Sequence, residues 1–429
     1  MSISRLFDIS KRFSGYLIKS AVAGFALLVF SYALPNQPIR DNIAASMSVF
    51  VDDNPYPQWG NGLTATNTDM WTDAIMLEET AAEGTEWSIV QKALLNPWFD
   101  YKTDELLPQQ ILNEYIEQTT DMSDYLSEYA RYWHGYLIFL RPLFSVLTIG
   151  HIRVLNFTCQ LGMLIYLSML IEKKLGILFS IPLFAAWTVV NLVSSSLSFQ
   201  YSSIAYITLI AMIVLLNRKE SLVKDPVGKN GVVDLFFMIG IAIAYFDLLT
   251  YPVVSLGIPL CYWIAIKKPD FKEGVRDIIV LAFVWVLGYA LMWIMKWVLA
   301  SLVTGYPVLK SGIMRVTYRM SSIEESGSLS ASKALYMNLR ILEYKAFLII
   351  ILGTILLYAV LIRKYRYHIS LNGTALLYFL VAMIPFLWIV IVKNHSVVHA
   401  YMVHKVFAVT VCAVLCMISS SFQIQKDIV

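Results

Sequence analysis

The chain has 429 residues, of which 58% are hydrophobic and 14% aromatic, and its formal net charge at pH 7 is +3. Soluble domains contain about 45–50% apolar residues, so this composition excludes an ordinary soluble protein and indicates a polytopic membrane protein. The small net charge argues against nucleic acid as a partner. The four cysteines all lie in apolar segments, so we expect no disulfide framework.

The first apolar segment, residues 15–34, follows a head that carries Arg5, Lys11 and Arg12. It is long enough to cross about 30 Å of hydrocarbon, and it predicts a signal anchor. A cleaved signal peptide is the alternative, although no clear small-residue cleavage pattern follows the segment.

We expect an all-α polytopic protein, with residues 1–429 forming a single integral membrane domain of about ten transmembrane helices. The nine further apolar segments lie at about 152–171, 175–194, 202–216, 232–250, 252–266, 278–299, 346–362, 374–392 and 404–422.

Charge predicts the side of the membrane on which each connection lies. With a cytoplasmic amino terminus, four basic clusters fall on the cytoplasmic side, as the positive-inside rule requires: 172–174, 218–229, 267–276 and 363–366. The stretch from 35 to 130, by contrast, holds 17 of the 30 acidic residues and 3 of the 33 Lys and Arg residues. We therefore expect residues 35–151 to form a long extracytoplasmic loop with interfacial helices. Both termini would face the cytoplasm of a multi-pass protein of the cell membrane.

The end of this loop contains a short apolar run, residues 135–149, with Arg141 near its middle. An Arg at the bilayer centre costs about 2.5–3.5 kcal/mol to insert, and a span here would reverse the side of every later basic cluster. We therefore expect a helix at the outer interface. Just upstream, the i, i+3, i+4 spacing of apolar and aromatic residues predicts an amphipathic surface helix through Met122, Tyr125, Leu126, Tyr129 and Trp133.

A second extracytoplasmic loop, residues 300–345, has the opposite charge. It carries six basic residues, including Lys310, Arg315 and Arg319, against three acidic ones. A basic segment on the outer side breaks the positive-inside rule, so we predict that it has a local anionic partner.

Asp69 and Asp73 are the first candidates for chemistry. On a helix their four-residue spacing puts both carboxylates on one side. There they can act as a general base with an orienting partner, or bind a divalent cation. The alternative is that they are solvated loop acids. Asp52 and Asp53 are weaker candidates of the same kind.

Basic and imidazole side chains are predicted on the same side of the membrane. Arg131, His134 and Arg141 lie at headgroup level, where they either hold a phosphate or sugar hydroxyl or simply snorkel. His395 and His399 share a helix face before the last span. Phosphate contact is favoured there over a zinc pair, because the segment is cationic and no third ligand is assigned.

Asp247 ends a predicted span just before a turn with Pro252. We count it with the substrate-binding candidates, because an ionisable residue at membrane depth is functional by default; a helix-packing contact is the alternative.

No Walker loop, dinucleotide fingerprint or nucleotide-sugar carboxylate pair occurs in a predicted cytoplasmic loop. This argues against ATP or a nucleotide sugar as the direct substrate.

Four local strings stand out: NTDMWTDAIML, RYWHGYLIFLRPL, YFDLLTYP and NHSVVHAYMVHK. With the cytoplasmic amino terminus, the long first outer loop and the many spans, they make the chain resemble the GT-C superfamily of integral membrane glycosyltransferases. The resemblance implies transfer of a sugar, with inversion, from a polyprenyl-phosphate donor to a glycan or lipid-linked acceptor on the outer face. Membrane lipids would surround the site, and no cofactor is implied apart from a divalent cation at the acidic pair.

The same resemblance implies roles for the candidate residues. Asp69, or otherwise Asp73, would be the general base. The lipid phosphate would be held by Arg131, His134, Arg141, His395 and His399. The donor would be gated, or a second anionic lipid bound, by Lys310, Arg315 and Arg319.

Two other classes of protein stay open. A flippase or transporter of lipid-linked sugars would line a path through mid-span positions and repeat its halves, whereas the ionisable residues here gather at one face. A membrane polysaccharide polymerase or acyltransferase also uses His and Arg near the outer face. Such a polymerase usually has its long outer loop late in the chain, whereas here the loop follows the first span.

Overall fold

The computed structural model describes residues 3–50, 54–60, 62–83, 86–100, 106–118, 121–122, 125–324, 327–369 and 373–424. Within these ranges the chain is mostly helical, which agrees with an all-α membrane protein. Asp52 and Asp53 lie outside the described residues.

The helices fall into three groups along the chain. The first group is α1 (Ile3–Tyr32), α2 (Asn36–Ala44), α3 (Met70–Ala81), α4 (Ile89–Leu95), α5 (Pro108–Glu117) and α6 (Leu137–Phe144). The second is α7 (Ile149–Leu175), α8 (Ser180–Val190), α9 (Leu192–Leu197), α10 (Phe199–Asn217), α11 (Lys219–Lys224), α12 (Val232–Phe246), α13 (Val254–Lys267) and α14 (Phe271–Thr304). The third is α15 (Val308–Met320), α16 (Ala331–Arg340), α17 (Lys345–Lys364), α18 (Ala375–Ala382), α19 (Ile384–Ile391), α20 (Lys393–Val398), α21 (Ala400–Val403) and α22 (Ala408–Ser420).

Short strands and tight turns complete the described structure. The strands form three antiparallel pairs: β1 (Pro97–Phe99) with β2 (Leu126–Glu128), β3 (Ile323–Glu324) with β4 (Gly327–Ser328), and β5 (Tyr367–Ile369) with β6 (Phe422–Ile424). Single 3-10 turns occupy Met47–Phe50, Thr64–Thr66, Ile177–Phe179 and His404–Phe407.

Among the described residues, six helices are long and apolar enough to cross a membrane. They are α1, α7, α10, α14, α17 and the run from α21 to α22. Four shorter apolar stretches of 10–17 residues are α8 with its preceding turn, α12, α13, and α18 with α19. Each of the ten predicted spans overlaps one of these ten stretches. Six of the stretches are long enough to cross a membrane, and the other four crossings remain a prediction.

Contacts bring the amino-terminal head and two predicted basic clusters, 172–174 and 218–229, to one end of the helices. Arg12 donates to the Val227 carbonyl at 2.9 Å, and the Lys219 ammonium donates to the Lys174 carbonyl at 3.3 Å. The amino-terminal head therefore lies beside the basic residues that follow α7 and α10. This is the grouping that the positive-inside rule predicts.

The opposite end carries the two long connections. Lys296 of α14 donates to Asn96 Oδ1 at 2.8 Å, and the Trp297 indole donates to the Arg131 carbonyl at 2.8 Å. The first loop is therefore fixed to the end of α14, from which α15 starts. We call this end the loop face; it comprises the described residues within 33–148, 191–198, 247–253, 305–344 and 392–399.

α12 and α14 pack with their backbones in close approach. A Cβ atom on Gly240 would lie 2.1 Å from the Trp285 carbonyl oxygen, and one on Gly288 would lie 2.3 Å from the Phe237 carbonyl oxygen. Small residues of this kind let membrane helices approach closely. This pairing sets the position of α14, which forms one wall of the candidate site.

The predicted amphipathic helix through Met122 and Trp133 is wrong. Residues Leu126–Glu128 form strand β2, which pairs with Pro97–Phe99. The aromatic spacing is present, but pairing with a distant segment overrides the local periodicity, as tertiary context does for short segments. The predicted short helix downstream is present as α6, which at eight residues is too short to cross a bilayer.

Candidate functional site

The acidic pair lies at the start of α3. Asp69 is the N-cap of this helix: its Oδ1 accepts from the Thr72 backbone N–H at 2.8 Å, and its own N–H donates to Ser198 Oγ at 2.8 Å. Its Oδ2 accepts from the hydroxyls of Thr72 and Tyr401, each at 3.1 Å, and from the Gln200 amide. Asp69 therefore joins the first loop to α10 and to the last span.

Asp73 makes a different set of contacts. Its Oδ1 accepts from the Phe199 N–H at 2.8 Å, and its Oδ2 pairs with the Arg153 guanidinium at 3.0 Å. Both carboxyl groups are completely buried, so the alternative of solvated loop acids is wrong. Burial raises the pKa of Asp69 to about 6 and that of Asp73 to about 7, while the Arg153 charge opposes the rise at Asp73. Among the described residues no cation pairs with Asp69, which is held by neutral donors alone.

Tyr401 connects the acidic pair with the histidines. Its hydroxyl donates to Asp69, and its ring centroid lies 6.1 Å from that of His399. His399 Nε2 in turn lies 3.0 Å from Nη1 of Arg319. These consecutive contacts therefore link Asp69 to His399 and Arg319.

Beyond His399 lies a cavity of about 490 Å³, which we call the arginine cavity. Three arginines line it: Arg131 from the first loop, and Arg315 and Arg319 from α15. The remainder of the lining is mostly apolar and aromatic, from α14, α15 and the end of α19. The predicted phosphate ligands His395 and His399 are not among the lining residues, and neither are Asp69 and Asp73.

A second cavity of about 470 Å³ adjoins the first. It shares Arg131 and Arg315 with the arginine cavity and adds Lys310, so we call it the lysine cavity. The structure therefore brings Lys310, Arg315 and Arg319 of the second loop together with Arg131 of the first.

No carboxylate in the part of the chain that the structure describes lies within ion-pair distance of the cations of these cavities, which are Arg131, Arg315, Arg319 and Lys310. The Nε atoms of Arg131 and Arg319 are buried and make no hydrogen bond there. Burial lowers the pKa of Arg315, and the charges of Arg319 and Arg131 lower it further. Unpaired, partly buried guanidinium groups of this kind suit an anionic ligand.

The histidines beside the arginine cavity are uncharged at neutral pH. Burial, reinforced by the charge of Arg319, lowers the pKa of His399 to about 3. Burial, reinforced by the neighbouring His399 and then by Arg319, takes the pKa of His395 well below its usual value. The two rings lie 4.7 Å apart, and neither nitrogen of His395 has a well-formed hydrogen bond to the described protein. Within the described residues, no group of three or more His, Cys, Asp or Glu side chains is placed to hold a metal ion. The described residues therefore provide no ligand set for the predicted divalent cation.

His134 lies next to the cavity wall but does not line the cavity. Its Nδ1 lies 2.9 Å from Glu79 and 2.7 Å from the Tyr136 hydroxyl, and its Nε2 donates to the Tyr129 carbonyl at 2.7 Å. Tyr129 packs under the guanidinium of Arg131, with 5.2 Å between that group and the ring centroid. The predicted phosphate ligand is therefore placed to hold the segment that carries Arg131.

Replacing His134 with Ala should lower the free energy of unfolding by roughly 3 kcal/mol, because it leaves the buried carboxyl of Glu79 without its imidazole partner. The measurement is thermal unfolding in detergent. His151→Ala is the matched control, since His151 is exposed at the start of α7. Equal melting temperatures for the two variants would contradict the buried pair.

Arg141 does not lie at the predicted phosphate site. It is buried, and its nitrogens donate to the Ser31 carbonyl at 2.9 Å, to the Thr80 carbonyl, and to Asn36 Oδ1 at 3.3 Å. It ties the ends of α1 and α3 together and lines neither cavity. Snorkelling is excluded as well, because the side chain does not reach the surface.

Asp247 shapes a turn beside the arginine cavity. Its two oxygens accept from the backbone N–H and hydroxyl of Thr250, at 2.9 and 2.5 Å. Burial raises the pKa of Asp247 to about 7. Between these residues Leu249 has a φ of 66°, a left-handed conformation rare for this residue type, and it lines the cavity.

Several contacts at the site involve residues that sequence reasoning does not select. Tyr401 lies inside the NHSVVHAYMVHK string, so its presence near the histidines has a sequence signal. Gln200 and Arg153 carry none, because each is a polar residue near the start of an apolar span. The sequence gives no reason to select Glu79, because it is one of many acidic residues in the first loop.

Comparison of the chain with protein-family models, with curated proteins and with solved structures finds no significant match.

Proposed function

We propose that this protein is a glycosyltransferase of the GT-C type, which moves a sugar from a polyprenyl-phosphate donor to a glycan or lipid-linked acceptor. The observation that carries the proposal is the arginine cavity, where three guanidinium groups without described carboxylate partners meet an apolar wall. A lipid phosphate has the matching chemistry, since it is an anion on a long apolar tail.

The shape of the arginine cavity favours a lipid over a soluble phosphate. Its α14 wall runs from Val286 to Trp297, about 16 Å of helix at 1.5 Å per residue. Val286 and Ile294 are 51% and 43% exposed on the side of α14 that would face lipid. A prenyl chain fits along this wall from the membrane, with its phosphate at Arg131, Arg315 and Arg319.

The acidic pair supplies the base in this proposal. The acceptor oxygen forms a bond to the anomeric carbon, and the bond from that carbon to the phosphate oxygen breaks. Asp69 takes the hydroxyl proton, and the bonding electrons leave with the polyprenyl phosphate, whose negative charge increases by one. The arginines stabilise that charge, and attack opposite to the phosphate inverts the sugar. Asp73, held by Arg153, orients the start of α3.

Access to Asp69 requires a local movement. Asp69 is completely buried, and the ring of its contact Tyr401 packs at a tilt against that of Tyr56, with 4.4 Å between ring centroids. Tyr56 is only partly buried. We propose that the acceptor enters by displacing these two phenol rings.

The proposed site lies outside the cytoplasm, on the loop face, and cysteine labelling tests this. In a Cys159→Ala background, Ser88→Cys in the first loop should react with an impermeant thiol reagent added to intact cells. Asp225→Cys and Asp270→Cys, at the other end of the helices, should react only after permeabilisation. All three positions are exposed in the structure. Labelling of position 225 in intact cells would contradict the orientation.

Deleting the gene in its native host tests the function. We expect a sugar to disappear from a surface or lipid-linked glycan while its polyprenyl-phosphate donor accumulates. The purified protein should then form the missing linkage from that donor and acceptor in detergent micelles. A flippase would also cause the donor to accumulate, but it forms no product in micelles, where there are no sides to cross. Absence of product there would contradict the transferase.

A further inference from the structure

A short segment of the first loop, residues 54–60, is fixed beside Asp69, and we call it the strap. The residues on either side of Asp69 donate their backbone N–H groups to two proline carbonyls of the strap, at 2.8 and 2.9 Å. The donors are Thr68 and Met70, and the acceptors are Pro57 and Pro55. Each proline also fixes its own φ. The backbone of the strap is therefore held in place, and only its side chains need to move when an acceptor reaches Asp69.

Trp59 is an exposed aromatic residue of the strap, with 51% of its surface accessible. Its indole N–H donates to Ser194 Oγ at 3.1 Å, and its backbone N–H donates to the Thr66 carbonyl at 3.4 Å. The ring is therefore fixed although it is exposed, and its polar edge already has a partner. The faces of the ring are left for a ligand, together with the exposed side-chain amides of Asn54 and Gln58.

A buried amide next to the strap has an unpartnered oxygen. Asn67 pairs with Gln58 in an antiparallel bridge and is 7% exposed. Its Oδ1 accepts no hydrogen bond from the described residues. Buried polar atoms are normally hydrogen bonded, so this oxygen suits a donor that the described chain does not supply. A ligand hydroxyl is such a donor.

We infer that the strap is a saccharide-binding subsite for the acceptor, with a sugar ring packed on the face of Trp59 and a hydroxyl bonded to Asn67. The Cα atoms of Tyr56 and Trp59 are at most about 11 Å apart. A short oligosaccharide therefore extends from the indole to the position of the Tyr56 ring, next to Asp69. This inference rests on the proposed function, and it selects a glycan from the two acceptor classes that the function leaves open.

The side chains of the strap match a saccharide better than they match the membrane interface. Residues 54–60 include no charged side chain, and their exposed groups are one indole and two amides. The C–H face of a pyranose packs on an aromatic ring while its hydroxyls bond to amides. An interfacial Trp, by contrast, keeps its N–H in the wet headgroup layer. The N–H of Trp59 is bonded to Ser194 instead.

Binding of lipid-free oligosaccharides to the purified full-length protein in detergent micelles tests the inference. The probe is the mixture of neutral oligosaccharides released from the envelope of the gene-deletion strain. The wild type should retain a component of this mixture. Trp59→Ala should bind that component at least about tenfold more weakly, the usual effect of truncating an aromatic anchor. Trp59→Phe should recover most of the affinity, because it keeps a ring face.

Tyr336→Ala is the matched control, since Tyr336 is 57% exposed on the loop face and lies outside the strap. It should bind the oligosaccharide as the wild type does. Asn67→Ala is a second test variant. Because Asn67 Oδ1 has no described partner, this substitution should weaken binding while changing the melting temperature little.

Three results would overturn the inference. The first is that the wild type retains no oligosaccharide. The second is equal affinity of the wild type and Trp59→Ala, which would assign the indole to the membrane interface. The third is an equal loss in Tyr336→Ala, which would show a non-specific effect of exposed aromatic rings.

Failure of this inference is distinguishable from failure of the proposed function, because the binding assay does not require sugar transfer. Transfer to a lipid-linked acceptor by a protein that binds no lipid-free oligosaccharide would overturn the inference alone. Trp59-dependent binding by a protein that transfers no sugar would support the subsite and contradict the transferase.

Discussion

Replacing Asp69 with Asn should lower the rate of sugar transfer by about 10²–10⁴-fold, the usual effect of losing a general base. Asn has nearly the same shape, and its carbonyl oxygen can still accept the Thr72 N–H bond that caps α3. Folding and donor affinity should therefore change little. The test is a single-turnover transfer rate, measured with donor affinity and melting temperature on the same preparation.

The control for this variant is Asp41→Asn, because Asp41 is an exposed acid of the same loop. It should transfer sugar at the wild-type rate. Asp73→Asn should be less stable than wild type, since it leaves the Arg153 guanidinium without its carboxylate. If the Asn variants of Asp69 and Asp73 both keep more than about a tenth of the rate, the general base lies elsewhere. The next candidates are then Asp52, Asp53 and Asp247.

The same assignment predicts a pH profile. Because burial raises the pKa of Asp69 to about 6, the protonated and inactive form accumulates as the pH falls through that value. The transfer rate should be constant above about pH 7 and fall about tenfold per pH unit well below 6. His399, whose pKa is lowered to about 3, stays neutral throughout and adds no step. A rate that does not fall below pH 6 would exclude Asp69 as the base.

Replacing Arg319 with Gln should weaken the binding of polyprenyl phosphate by roughly ten- to a hundredfold, because a charge-assisted hydrogen bond to phosphate contributes about 1.5–3 kcal/mol. Arg319 contacts His399 and lines the arginine cavity, and its buried Nε has no described partner. The measurement is equilibrium binding in nanodiscs of neutral lipid. Arg319→Lys should recover only part of the affinity, because an ammonium cannot form two parallel bonds.

Arg340→Gln is the control for Arg319→Gln, since Arg340 is exposed on α16 and lines neither cavity. It should bind polyprenyl phosphate as tightly as the wild type. Equal losses in the two variants would show a diffuse electrostatic effect of the loop face and contradict a specific phosphate site.

The cations of the candidate site are visible in the sequence, but their grouping is not. Arg315 and Arg319 attract notice because they break the positive-inside rule, and Arg131 because it opens the RYWHG string. That they line one cavity depends on contacts such as the bond from Trp297 to the Arg131 carbonyl, which joins residues 166 positions apart. No local pattern encodes a contact of that length.

The acidic pair shows the same limit. The spacing of Asp69 and Asp73 correctly predicts that they lie together, because it is one turn of helix. Their burial is not predictable from the spacing, since the groups that enclose them come from Arg153, Phe199 and Tyr401. From the sequence alone a carboxylate is expected to be exposed, because only the folded chain shows which partners enclose it.

Arg141 does not lie where its sequence context predicts. An Arg in a short apolar run predicts a headgroup contact, and the alternative is snorkelling. Instead, the side chain turns inward and donates to the Ser31 and Thr80 carbonyl oxygens in the last turns of α1 and α3. Helix ends leave such carbonyls without partners inside the helix, but only the packed structure shows which side chain satisfies them.

The central claim is that the arginine cavity holds the phosphate of a lipid whose tail lies along α14. The most direct measurement is an experimental structure of the protein in nanodiscs with bound polyprenyl phosphate. We predict phosphate density within hydrogen-bond distance of at least two of Arg131, Arg315 and Arg319, with the chain beside Val286 and Ile294. Phosphate density away from all three arginines, with the cavity filled by ordinary lipid, would contradict the account.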